Sequence, residues 1–273
     1  MRTSLSTFLY FYYSLEDAIR RAAVAGFDAI DIWGGRPHAY RNDLREHEIR
    51  HIKDLVDDLG LEIASFIPAQ FPYPTSLCSP IKHIRMDSVR YIKDSIETAV
   101  RLGAPIISLC PGHTLNDQDL DDGWEQLADS LLRICEFAGN YEVLIGIEPA
   151  DKYETDLINT TIQAMDMIDQ LGCDNLGVIF DTGHAFVVGE DTAAAIDSLG
   201  DRLFHLHVSD NDGKRNQNLI PGQGNYDFLA LINALRLTLF DGFLTAQLGW
   251  DYITDPDPAA IEAQDYLENL INQ

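Results

Sequence analysis

The stretch "GVIFDTGHAF", residues 177–186, passes from an apolar run directly into Asp181, Thr182, Gly183 and His184. Its β-forming residues, stopped by an acid and a glycine, read as a buried strand that ends in a loop. The same pairing recurs on both sides. Short β-rich runs occupy 2–10, 28–33, 61–67, 105–110, 142–148, 176–181, 203–209 and 243–249. Between them lie segments of helical period, among them "SLEDAIRRAAVAG" (14–26), "MDSVRYIKDSIETAVRLG" (86–103), "GWEQLADSLLRICEFAG" (123–139) and "TIQAMDMIDQLG" (161–172), several closing on glycine. Strand then helix, eight times over, is the count of a (β/α)8 TIM barrel of the α/β class. An open doubly wound sheet is the alternative, but it commonly carries a glycine-rich phosphate turn, and no G-x-G-x-x-G occurs here. With no linker or break in composition, a single TIM-barrel domain over 1–273 is expected.

Composition narrows the function. With 46% hydrophobic and 23% charged residues the chain has an ordinary globular balance. Its 44 acids against 19 Lys and Arg give a net charge of −25, which would repel a phosphate backbone, so a nucleic-acid partner is not expected. The same excess fits salt adaptation or plain solubility. Cys78, Cys110, Cys135 and Cys173 form no C-x-x-C pair and suit a reducing compartment, so a cytoplasmic location is expected. The apolar "LSTFLYFYYSL" is interrupted by Ser and Thr and lacks a small-residue cleavage site, and reads as a first strand and loop rather than a leader. No apolar run is long enough to span a membrane.

In this architecture chemistry sits on the loops after the strands. The second strand ends at Trp33, before "GGRPHAY" with His38, and the third runs into "PAQFPYP". The fourth precedes His113; the fifth ends on Glu148, with Glu154 six residues on. The sixth ends on Asp181 and His184, the seventh on His207 and Asp210, and the eighth carries Gln247. Glu148 directly follows "VLIGI", where an unpaired carboxylate is costly unless it is coordinated or hydrogen-bonded; a solvated loop acid is the plain alternative. Asp181 invites the same argument, with helix capping as its alternative. His205 and His207 share one strand face, and His207 is expected to reach the open end while His205 stays in the core. His113 and His184, taken singly, are open between site and structural roles. Together, Glu148, Asp181 and His207 offer two oxygens and a nitrogen from adjacent strands, a set suited to Mn²⁺, Mg²⁺, Co²⁺ or Zn²⁺.

The ordered series "GFDAIDIWGGRPHAY", "GIEPADKYET", "FDTGHAF", "HLHVSDNDG" and "IPGQG" resembles the xylose isomerase-like TIM-barrel superfamily of sugar isomerases and epimerases, and within it the fructoselysine and ketose 3-epimerase branch. The resemblance implies one divalent metal, Mn²⁺ first among the candidates, held by Glu148, Asp181, His207 and the residue at Gln247. It implies a small sugar substrate touched by Glu154 and His184, an aromatic and polar pocket wall at Trp33 and His38, and a polar site residue at His113. It also implies a homo-oligomer, dimer or tetramer. In the ketose 3-epimerases two carboxylates on opposite faces exchange a proton beside the carbonyl, through an enediolate that the metal stabilises.

This chain departs from that pattern at two positions. Gln247 in "LTAQLGW" stands where a fourth ligand and second base, Glu, is usual; Asn218 in "NQNLIPGQG" stands where relatives carry His or Arg. An amide oxygen can bind a metal but cannot take a proton. Asp251 is the nearest other acid, four positions on. The expected activity is therefore proton transfer on a ketose or ketose derivative by Glu148, Glu154 and the Gln247 position. An engineered knockout, a one-base enzyme, a sugar-binding protein without turnover, and a lyase or dehydratase of the superfamily remain alternatives. An apurinic endonuclease-like role, which needs extra histidines where "NQN" stands, ranks last.

Overall fold

The computed structural model describes residues 1–70 and 75–273; Phe71 to Pro74, part of the "PAQFPYP" stretch after the third strand, lie outside the described residues. Eight parallel strands close into a barrel in sequence order: β1 (Arg2–Ser6), β2 (Ala29–Gly34), β3 (Glu62–Pro68), β4 (Ile106–Leu109), β5 (Leu144–Ile147), β6 (Leu176–Asp181), β7 (Leu203–Val208) and β8 (Phe243–Ala246). The pairing of β1 with β8, from Arg2 opposite Phe243 to Leu5 opposite Ala246, completes the ring. Every strand read from the sequence is present. Most are shorter than their apolar runs, because Thr7–Tyr10, Glu148 and Gln247–Gly249 have left the ladder to build the barrel mouth. The fold is thus the expected (β/α)8 barrel.

Nine α-helices are described, one more than the strands require: α1 (Leu15–Ala25), α2 (Glu46–Asp58), α3 (Lys82–Leu102), α4 (Leu120–Gly139), α5 (Thr161–Leu171), α6 (Thr182–Val188), α7 (Thr192–Leu199), α8 (Phe228–Leu237) and α9 (Pro256–Ile271). Their ends follow local chemistry. Ser14 accepts a hydrogen bond from the Asp17 amide to start α1, and Gly26, at φ 94°, ends it in the left-handed region that glycine enters freely. Thr160 and Gln163 form a reciprocal capping box at α5. The extra helix, α6, begins directly at the end of β6, and this places His184 in its first turn.

The core has two parts. Apolar faces of the helices pack on the outside of the strands, with Ile19, Ile52, Ile92, Leu131, Met167, Leu235 and Leu267 all buried. Inside the barrel the filling is in part polar: Ser4, Asp31, Ser65, Ser108, His205, His207 and Thr245 are each at most 2% exposed. Buried polar groups of this kind are costly unless paired, so their partners define what the interior holds. Among the described residues no helix is long and apolar enough to cross a membrane, and all four cysteines are free thiols.

Candidate active site at the barrel mouth

A cavity of about 660 Å³ opens at the C-terminal ends of the strands. Glu148 follows β5, Asp181 ends β6, and His207 lies near the end of β7; one ligand atom from each falls within 4.8 Å of the others. Gln247 follows β8 and lines the same cavity with Glu148, Glu154, His184 and Asn218. The resemblance-derived ligands and four of the six substrate-contact candidates, Trp33, Glu154, His184 and Asn218, are therefore brought together.

The local bonds explain the arrangement. His207 Nδ1 lies 2.8 Å from Glu148 Oε1, while Ser108 Oγ donates to Glu148 Oε2 at 2.9 Å. Burial works against the Glu148 charge, but His207 outweighs it and holds the carboxyl well below its usual range. Asp181 divides its oxygens between two tasks. Oδ1 accepts from the His184 amide at 2.9 Å and caps α6, while the buried Oδ2 has no hydrogen-bond partner among the described residues. Gln247 Oε1 is likewise buried and unpartnered. An orphaned Asp181 oxygen clustered with Glu148 and His207, and a second orphaned oxygen, from Gln247, in the lining of the same cavity, are the chemistry of a hard or borderline divalent cation site, since each oxygen would otherwise carry an uncompensated desolvation cost. The residues present fit such a cation, with Glu148, Asp181, His207 and Gln247 as the donors. Burial together with the nearby Glu148 raises the Asp181 carboxyl, against the pull of His184, as expected where negative groups converge without a counter-charge.

Glu154 stands with Oε2 3.8 Å from His184 Nε2. The Nδ1 side of His184 faces Asp151, 3.2 Å from its amide nitrogen and 3.4 Å from Oδ2. Burial opposes the His184 charge, but Asp181, Asp151, Glu154 and Glu148 prevail and raise it to about 10. Burial is the main cause that raises the Glu154 carboxyl, with Glu148 and Asp151 adding to it. Asn218 takes a left-handed backbone, φ 48°, and its Oδ1 accepts from Ser209 Oγ at 3.2 Å.

The wall facing these groups is aromatic. Phe8 meets Trp33 edge to face at 5.3 Å and Trp250 at 5.1 Å; Phe11 packs on the same two rings at 4.9 and 5.0 Å. Trp33 thus lines the cavity, but His38 does not. It is buried behind Trp33, with ring centroids 5.8 Å apart. Its Nε2 lies 3.2 Å from the Tyr10 and Tyr13 carbonyls, so that nitrogen carries the proton, and the Thr7 hydroxyl donates to Nδ1 at 3.2 Å while accepting from the Trp33 amide. Burial lowers the His38 imidazole to about 4 despite those carbonyls. His113 is also outside the lining. It is exposed, with Nδ1 2.8 Å from the Thr114 carbonyl and 3.2 Å from Asp156.

Sequence reading missed the residue at the base of this centre. Asp31, in the middle of β2, is fully buried and accepts from Ser4 and Thr245 at Oδ1 and from Ser65 at Oδ2. Its Oδ2 also meets His205 Nε2 at 2.7 Å and His207 Nε2 at 3.3 Å. The His205 and His207 imidazoles counter the burial that would raise Asp31, and its carboxyl is held far below the usual range. An acid inside the apolar "DAIDIW" was the available signal. His205 is the satisfied core histidine its strand phase predicts, and His207 is kept with Nε2 toward Asp31 and Nδ1 toward the mouth. The aromatic residues Phe8, Phe11 and Trp250 were missed as well, having been read as strand or loop.

A closed eight-strand barrel with carboxylate, imidazole and amide donors at its C-terminal mouth is the class of molecule these features define. The chain belongs to the xylose isomerase-like TIM barrel family, which it matches over residues 19–270. It is similar to the fructoselysine 3-epimerase of Shigella flexneri, 28% identical over 271 residues that cover 99% of this chain and 98% of that one. The L-ribulose 3-epimerase of Mesorhizobium japonicum is 26% identical over 224 residues, 81% of this chain and 71% of that protein. Among solved structures, the 3-keto-D-glucoside 4-epimerase of E. coli superposes with a TM-score of 0.83 at 21% identity, covering 98% of this chain and 99% of that one, a likeness of fold.

Proposed function

We propose that this protein is a divalent-metal-dependent isomerase or epimerase of a ketose or ketose derivative. The observation that carries the reading is the pair of buried oxygens without a partner among the described residues, Asp181 Oδ2 in the cluster with Glu148 and His207, and Gln247 Oε1 in the lining of the same aromatic-walled cavity. The epimerase relatives support the substrate class.

Glu148, Asp181, His207 and Gln247 would hold a divalent cation, which would supply Lewis-acid chemistry beside the sugar oxygens, with Mn²⁺ the first candidate over Mg²⁺, Co²⁺ and Zn²⁺. His184 and Asn218 offer hydrogen bonds to sugar hydroxyls, and the Trp33, Phe8 and Trp250 rings cover its apolar face and displace water. Glu154, whose side chain is hydrogen-bonded to no protein group among the described residues, is free to remove and return a proton beside the carbonyl, and burial keeps its carboxyl raised toward the working pH. Glu148 is tied by Ser108 and His207, and acts chiefly as a donor to the cation. His38 serves the pocket indirectly, by fixing Trp33 through Thr7.

The test is solvent-proton exchange, followed by NMR, for D-fructose, D-tagatose, L-ribulose and fructoselysine in deuterated water with Mn²⁺. Exchange that chelation abolishes and Mn²⁺ restores is the expected result; no exchange with any of the four refutes the reading. The amide at Gln247 favours one second reading, a relative that binds sugar without turnover, and this predicts ketose binding with no exchange. A dimer or tetramer is part of the proposal and is checked by sedimentation.

A further inference from the structure

The carboxylates and the imidazole that line the cavity stand on one side of it. Glu148 and Glu154 come from the β5–α5 connection, and His184 from α6 just after β6. These two strands are neighbours, and the Glu154 to His184 separation of 3.8 Å makes the groups one patch. The wall built by β8, β1 and β2 lies nearly across the closed ring from them. Its described lining is Gln247, Ser6 and the rings of Phe8, Phe11, Trp33 and Trp250, completed by Arg36 and Tyr40. Among the described residues this wall has no carboxylate and no imidazole. Phe71 to Pro74 contain no acid or histidine either.

Inverting a carbon centre beside a carbonyl requires a proton to leave one face of the planar intermediate and return to the other, and so a proton carrier on each wall. Gln247 stands on the far wall. Its amide oxygen can bind a cation or a hydroxyl, but it neither accepts nor releases a proton.

We propose, on the basis of the isomerase or epimerase reading above, that this chain moves the proton on one face only and so shifts a ketose carbonyl from C2 to C1 instead of inverting C3. The C1–H bond breaks and its proton passes to the Glu154 carboxylate. The electron pair forms the C1=C2 bond while O2 takes up the charge. Glu154 then returns the proton to the same face of C2, the O1 hydroxyl proton passes to O2, and C1 becomes the carbonyl carbon. No oxidant or reductant enters.

The test uses the full chain loaded with Mn²⁺ and the same four ketoses in deuterated water, with products resolved by chromatography and NMR. The expected product carries its carbonyl at C1, with exchange confined to C1 and C2 and no C3 epimer. Gln247→Glu is expected to gain C3 epimer formation by about tenfold or more over the native chain, and Glu154→Gln to slow exchange about 100-fold while still taking up Mn²⁺. A C3 epimer as the main product of the native chain overturns the inference and leaves the isomerase or epimerase reading standing. A folded, Mn²⁺-binding Gln247→Glu protein without added epimerisation overturns it too. Absence of exchange in the native chain removes both. Should Gln247→Glu fail to fold, the native product alone decides.

Discussion

Asp31 holds both imidazoles of β7, and the order of the centre depends on it at the scale of single residues. Its five hydrogen-bond partners come from β1, β3, β7 and β8, so one carboxylate fixes side chains from across the barrel. By keeping the Nε2 side of His207, it leaves Nδ1 as the donor to a cation, the arrangement in which an outer carboxylate orients a ligand and raises its basicity. Asp31→Asn would turn an amide donor toward imidazole N–H groups or lose one of them. We expect Mn²⁺ affinity, measured by EPR titration of free ion, to weaken about 10- to 100-fold. Unchanged affinity would show that His207 is oriented by something else. In the sequence Asp31 is visible only as an acid interrupting an apolar strand. Its partners are as far as 214 positions away, so their convergence cannot be read from spacing.

At the scale of elements, the connection between β7 and α8 shows how a loop is made rigid. Asp210, one of the acids at a strand end, turns away from the cavity and accepts four backbone amides: Asn211 at 2.8 Å, Gly222 at 3.0 Å, Gly224 at 2.8 Å and Tyr226 at 3.0 Å. Gly224 packs so closely that a Cβ there would lie 2.3 Å from Asp210 Oδ1. This carboxylate thus shapes the loop that carries Asn218, while Asp181 reaches the site, although both acids follow apolar strands. Asp210→Ala leaves those amides without their acceptor and is expected to cost about 2–4 kcal/mol. Hydrogen exchange at Gly222, Gly224 and Tyr226 should quicken well before global unfolding. Retained protection would contradict this role. The element pattern itself was legible, since strand and helix periods and glycine stops depend on neighbours in sequence. The extra helix α6 was not: seven residues give too short a period, and its cap is the same Asp181 that reads as a ligand.

At the scale of the whole molecule, Glu148, Asp181, His207 and Gln247 join four consecutive strands, β5 to β8, and a cation between them would act as a clasp on the ring. Binding only to the folded state at about 100 times its dissociation constant would add about 2.7 kcal/mol, raising the melting temperature by roughly 5 °C for a chain of this size. Calorimetry with and without Mn²⁺ reads this directly, and His207→Ala should abolish the increment; a native chain indifferent to Mn²⁺ would remove the clasp. The sequence by itself determined the barrel, because eight alternations of β and α periods, with no glycine-rich phosphate turn, are local patterns whose count is that of a closed parallel ring. It also determined the residues that end the strands. Tertiary structure alone decided which of those residues share a space: Asp181 in the site but Asp210 on the loop, Trp33 in the wall but His38 behind it, and Gln247 across from Glu154. Ring closure juxtaposes strands far apart in the chain, and the direction of each side chain is set by neighbours that spacing does not reveal.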